Sequence, residues 1–113
     1  MAAVIFEVTS YSLRLGKGGF GTTPIHCPAT IIVNGGKDFR CIFRFVDDEP
    51  LPASMAHART ADIFVAARHY PWYVDLLRYE RPVRCTINQG EPEFSYLATG
   101  EEPAGEGEQV IRA

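Results

Sequence analysis

Residues 3 to 15 alternate apolar and polar side chains, but the alternation changes phase part-way. Val4, Phe6 and Val8 hold even positions, whereas Tyr11, Leu13 and Leu15 hold odd ones. Successive side chains of a β-strand point to opposite faces, so an unbroken strand would turn one of these sets to solvent. The chain escapes that outcome only by bulging, or by passing from one sheet layer to another, at Thr9-Ser10. Strands that bend between layers are typical of small barrels and orthogonal sandwiches. The pattern therefore predicts a mainly β fold, a small six-stranded barrel or roll.

The next strands follow from local chemistry. Residues 16 to 24 are glycine-rich and read as a loop. Pro28 to Asn34 is rich in β-branched residues, and Asn34-Gly35-Gly36-Lys37 supplies a turn because asparagine and glycine tolerate positive φ. Asp38 to Val46 returns with Phe39, Cys41, Phe43 and Phe45 on one face and Arg40 and Arg44 on the other, so residues 28 to 46 read as a β-hairpin. Residues 53 to 68 are ambiguous between strand and helix. Ala53 to Ala61 suits a helical turn capped by Ser54, and Ile63 to Ala67 suits a buried strand.

One short α-helix is predicted at about 71–80. Pro71 fits a first helical position, and Pro82 ends the helix by restricting the residue before it. Trp72, Tyr73, Leu76 and Leu77 spread over one broad face, with Asp75 and Arg78 opposite, and the helix reads either as a plug for the core or as an interface. Val83, Cys85 and Ile87 then alternate with Arg84 and Thr86 in a fifth strand. Asn88 to Pro92 turns the chain, and Glu93 to Thr99 gives a sixth. This order, a helix before the last two strands, resembles that of an OB-type barrel. Residues 1–100 thus read as a single β-rich domain. The Glu-, Gly- and Pro-rich stretch 101–113 reads as an acidic, weakly structured C-terminal tail.

Composition narrows the class. The 113 residues are 46% hydrophobic and 22% charged, the profile of an ordinary globular domain. The N-terminus lacks the basic region of a signal peptide, and no apolar run reaches the ~18 residues of a membrane span. Cys27, Cys41 and Cys85 are odd in number and far apart, with no CxxC pair, which favours reduced thiols and a cytoplasmic or other intracellular setting. Residues 1 to 85 carry ten bases against eight acids, whereas residues 86 to 113 carry six glutamates against Arg112. A body charge of only +2 disfavours nucleic acid as the partner.

The motifs that suggest chemistry are incomplete. Gly16-Lys17-Gly18-Gly19-Phe20-Gly21 matches G-x-G-x-x-G, but no helix follows as a dinucleotide site requires, and no kinase catalytic loop accompanies it. The remaining use of that loop is to bind an anion through Lys17 and the amides of Gly18 and Gly19. His26, His57 and His69 have no ligand spacing, so a metal site would need the fold to join His26, Cys27 and Cys85. Ser54, His57 and Asp62 lack a nucleophile elbow. Asp47-Asp48-Glu49 reads as a solvated acidic turn. No cofactor is implied, and no catalytic set is complete.

Aromatics and arginine carry the functional expectation. Nine of the eleven basic residues are arginine, and three of the five tyrosines, with the lone tryptophan, fall in residues 69 to 81. These residue types dominate binding hot spots. The candidate interaction surface is Arg40, Arg44, Arg84, Tyr70, Arg78 and Tyr79. The expected function is a small non-enzymatic binding or assembly module whose partner is a protein or a second copy. The alternatives are an OB-type single-stranded nucleic-acid binder using Arg40, Arg44 and Arg84, and a small ligand-binding barrel or enzyme using the glycine-rich loop.

Overall fold

The structure, a computed structural model, describes residues 3–16, 27–47 and 49–100. The phase change near the N-terminus is the joint between two sheets. Strand β1 (Ala3–Glu7) belongs to a three-stranded sheet of order β1-β7-β8, with β7 at Val83–Asn88 and β8 at Tyr96–Thr99. Strand β2 (Ser10–Leu15) belongs to a five-stranded sheet of order β2-β3-β4-β6-β5. The remaining strands are β3 (Ala29–Asn34), β4 (Arg40–Val46), β5 (Met55–His57) and β6 (Thr60–Ala66). At the joint, the Val8 N–H donates to the Val83 carbonyl in one sheet and the Thr9 N–H donates to the Asn34 carbonyl in the other. Each apolar set thereby keeps its own inner face.

The described strands form two open sheets, and the expected barrel is not closed. A three-stranded sheet covers only part of the inner face of a five-stranded one. Helix α1 (Tyr70–Tyr79), entered through a 3₁₀ turn at Ala67–His69, takes up part of the remainder. Its Leu77 is buried, and Tyr73 and Tyr70 pack against Phe43 and Phe45. A helix laid on the sheet removes the apolar incentive for edge strands to meet. The core consists of Phe43, Phe45, Ile31, Ile63, Val33 and Cys41 from the large sheet, with Phe6, Val83, Cys85 and Ile87 from the small one.

The hairpin of residues 28 to 46 forms as expected, pairing β3 with β4 from Ala29↔Phe45 to Asn34↔Arg40. Its turn differs in detail. Positive φ falls on Lys37 and Asp38, not on the two glycines. The buried strand expected at Ile63 to Ala67 forms as part of β6, but the helical turn suggested for Ala53 to Ala61 does not. The alanine-rich stretch is the hairpin β5–β6, reversed at Ala58, which carries a φ of 54°. Ser54 caps no helix, and its hydroxyl oxygen accepts the Phe64 N–H at 2.9 Å. Parallel pairing of β6 with β4 across the whole strand accounts for the change, because ladder formation outweighs the modest helix preference of alanine. The described residues thus hold eight strands, not six.

Cys41 and Cys85 are free and fully buried. A hydrogen bond with Cys85, then burial, then the nearby Cys85 and Asp62 charges push the Cys41 thiol far above its ordinary 9.0. Burial, and then the two cysteines, raise Tyr73 above 10.0. The folded chain thus keeps protons that the unfolded chain releases, and stability is complete below the unfolded value and falls as pH rises past it. Urea unfolding should show a plateau to near pH 9 and then a loss of up to about 1.4 kcal/mol per pH unit for the thiol. Cys41→Ala should remove that part of the slope. Stability that stays constant or rises up to pH 10.5 would contradict this assignment.

Candidate interaction surface

Helix α1 turns about 100° per residue, so Tyr70, Tyr73, Val74 and Leu77 share one face. That face meets the core. Trp72 and Tyr79 fall on the opposite side, 71% and 74% exposed. Trp72 thus does not share the core-facing side with Tyr73 and Leu77, since its position in the turn sets its direction irrespective of its hydrophobicity. His69 stacks on the indole, ring centroids 5.1 Å apart and 10° from parallel. Trp72, Asp75, Leu76, Tyr79 and Glu80 line a shallow depression of about 370 Å³. The result is an open aromatic strip bordered by carboxylates.

The other expected surface residues are distributed over several faces. Tyr70 is half-buried and packs edge-on against Phe45, at 5.2 Å between centroids. Arg78 is exposed on the flank of α1 that faces β2, where it lines a groove with Leu13, Leu15, Tyr70, Pro71, Val74 and Asp75. Arg40 and Arg44 share the outer face of the five-stranded sheet. Arg40 Nε donates to Asn34 Oδ1 at 3.1 Å, and half-buried Arg44 is paired with Asp62. Arg84 stands on the three-stranded sheet, its register neighbours being Glu7 and Ala98. The three arginines are thus not brought to one sheet. Lys17, Gly18, Gly19 and His26 lie outside the described residues, as do Asp48 and the tail 101–113.

The fragments of catalytic or metal chemistry are likewise separated. Ser54 is engaged by the Phe64 amide, and Asp62 by Arg44, while His57 is exposed at the end of β5. Cys27 packs with Val46 and Phe64 in a cluster apart from the core that holds Cys85. Among the described residues, no group of His, Cys, Asp and Glu could hold a metal ion. A depression of about 710 Å³ lies over β4, β5 and β6, with Arg40, Ile42, Met55, His57, Asp62 and Pro92 on its walls.

A second apolar strip crosses the outer face of the three-stranded sheet. Register places Ile5, Thr86 and Tyr96 in one row across β1, β7 and β8. Ile5 and Tyr96 are 61% and 51% exposed. Comparison with protein-family models, with curated proteins and with solved structures finds no match for this chain.

Proposed function

We propose that the chain is a small non-enzymatic binding or assembly module that works through protein–protein contacts. The observation that carries this reading is the outer face of α1. Trp72 and Tyr79, seven residues and about two turns apart, share the exposed side of a helix whose opposite face is already committed to the core. Tryptophan and tyrosine offer large contact area at low side-chain entropy cost, and they are the residue types that most often anchor an interface. The fold does not need them there, because Tyr73, Tyr70 and Leu77 already fix the helix. Asp75 and Glu80 at the edge of the strip suit a polar rim around an apolar centre. The nucleic-acid alternative needs a continuous basic groove, and Arg84 stands on a different sheet from Arg40 and Arg44.

The test is the double variant Trp72→Ala, Tyr79→Ser. Both side chains are exposed, so its unfolding free energy should stay within about 1 kcal/mol of the parent. Its affinity for proteins retained by the parent chain should fall at least tenfold. Retention of the same proteins with unchanged affinity would overturn the reading.

A further inference from the structure

Among the described residues the two sheets end in four edge strands, and β2 is the longer edge of the larger sheet. The direction of its free backbone groups can be derived. The Gly16 N–H donates to the Pro28 carbonyl at 2.9 Å, continuing the β2–β3 register by one pair. Hydrogen-bonded pairs alternate along an antiparallel ladder. Arg14, Ser12 and Ser10 therefore direct their N–H and C=O groups to β3, and Leu15, Leu13 and Tyr11 direct theirs to the open edge. No described residue meets those groups. Beside the same edge, between β2 and α1, lies the apolar groove of about 610 Å³ floored by Leu13, Leu15, Tyr70, Pro71 and Val74. Leu15 at its rim is 72% exposed. Arg14 is the one charge within β2, and no proline interrupts it, although edges are commonly protected by such residues.

We infer that the β2 edge pairs antiparallel with the β2 edge of a second copy, giving a two-fold dimer with one continuous sheet. The register follows from parity and charge. Opposed residues share a sheet face, so inner-facing odd positions must meet odd ones and outer-facing even positions even ones. Placing Leu13 opposite Leu13 puts Tyr11 opposite Leu15 and Ser12 opposite Arg14. All three outward-directed residues then exchange hydrogen bonds with the partner strand, and no charge meets a like charge. Sliding toward Ser12 opposite Ser12 leaves Leu15 without a partner inside the strand. Sliding the other way sets Arg14 against Arg14. The Leu13-centred register is the one that satisfies the edge, and the copy's Tyr11 then covers Leu15 at the groove mouth.

This dimer uses β2 and not the Trp72–Tyr79 strip, so the two surfaces are tested separately. Sedimentation equilibrium of the full chain should give a dimer, and Leu15→Lys should weaken it at least tenfold, while the urea midpoint measured at dilutions where both chains are monomeric stays the same. Under mild copper–phenanthroline oxidation, chains carrying Ser12→Cys mixed with chains carrying Arg14→Cys should crosslink, since these positions face each other as a non-hydrogen-bonded pair. Each variant alone should not. A chain that stays monomeric at millimolar concentration would overturn the inference. So would a dimer indifferent to Leu15→Lys, or crosslinking of Ser12→Cys alone. If the chain is monomeric but an added extended peptide protects the Leu13 and Leu15 amides from hydrogen exchange, the edge belongs to a foreign strand and self-pairing falls.

Discussion

Replacing Phe45 with alanine is expected to cost about 3–5 kcal/mol, the usual loss for a fully buried phenylalanine. The ring is completely excluded from solvent. It sits on β4, between Ala29 of β3 and Val65 of β6, in the middle of the larger sheet. It also receives two tyrosines of α1, Tyr70 at 5.2 Å and 86° and Tyr73 at 5.0 Å and 81°. Edge-on aromatic pairs add about 0.5–1.5 kcal/mol beyond the area they bury, so the site lies toward the upper end of that range. A domain of this size holds about 5–15 kcal/mol in total, and the variant should lose much of its stability to urea. Far-UV circular dichroism is the right probe, because Trp72 is already 71% exposed and its emission should change little on unfolding. Trp72→Ala serves as the matched control, expected within about 0.5 kcal/mol of the parent. A Phe45→Ala chain that unfolds within 1 kcal/mol of the parent would show that α1 is not held to the sheet through this ring.

The contrast between Phe45 and Trp72 marks how far the sequence can be read. Strict alternation is decisive where one face of a strand is buried. It locates β4 and β7, and its phase change locates the transfer between sheets at Thr9-Ser10, whereas β3 is read from its β-branched residues and the turn that follows. Alternation says nothing about whether edge strands find each other, so closure could not be derived from it. Closure depends on the helix, which covers part of the inner face that a closing strand would have covered. The stretch around Ala53 to Ala61 was misleading for a related reason. Alanine has a weak local preference for helix, and pairing of β6 with β4 decides the matter from a distance.

The candidate surface was legible in part. Tyr79 and Arg78 could be placed outside the core from sequence, but hydrophobicity groups Trp72 with Tyr73 and Leu77 where spacing is the better guide. Tyr70, Tyr73, Val74 and Leu77 recur at intervals of three and four residues, and a residue two positions after Tyr70 must point away from them. The outward direction of Leu13 and Leu15 amides had no sequence signal at all. Which of two alternating sets faces the neighbouring strand is fixed only once a ladder hydrogen bond, here Gly16 to Pro28, is known.

Gly35→Ala should cost about 3 kcal/mol, near the upper end for overpacking, although a glycine in a hairpin turn would ordinarily be valued for its φ. Gly35 is not in the left-handed region, where Lys37 and Asp38 are found instead. Its importance lies in what passes over it. A Cβ there would overlap Cδ2 of Phe6 and would lie 3.1 Å from Cγ of the same ring and 3.0 Å from the Glu7 carbonyl oxygen. Neither neighbour moves freely. Phe6 is buried and stacked on Phe39 at 5.2 Å, and Glu7 is held in register with Arg84 by the β1–β7 ladder. The added methyl must therefore push β1 and the β3–β4 turn apart, at the place where the chain crosses between sheets. Two comparisons separate this cause from a general intolerance of the turn. Gly36→Ala meets nothing within 4 Å, and it should be neutral or stabilising by a few tenths of a kcal/mol through the unfolded chain. Phe6→Leu combined with Gly35→Ala should lose less than the sum of the single losses, because trimming the ring opens the space that the methyl requires. Additive losses in that cycle would mean that the Glu7 carbonyl, and not the ring, is what the glycine makes room for.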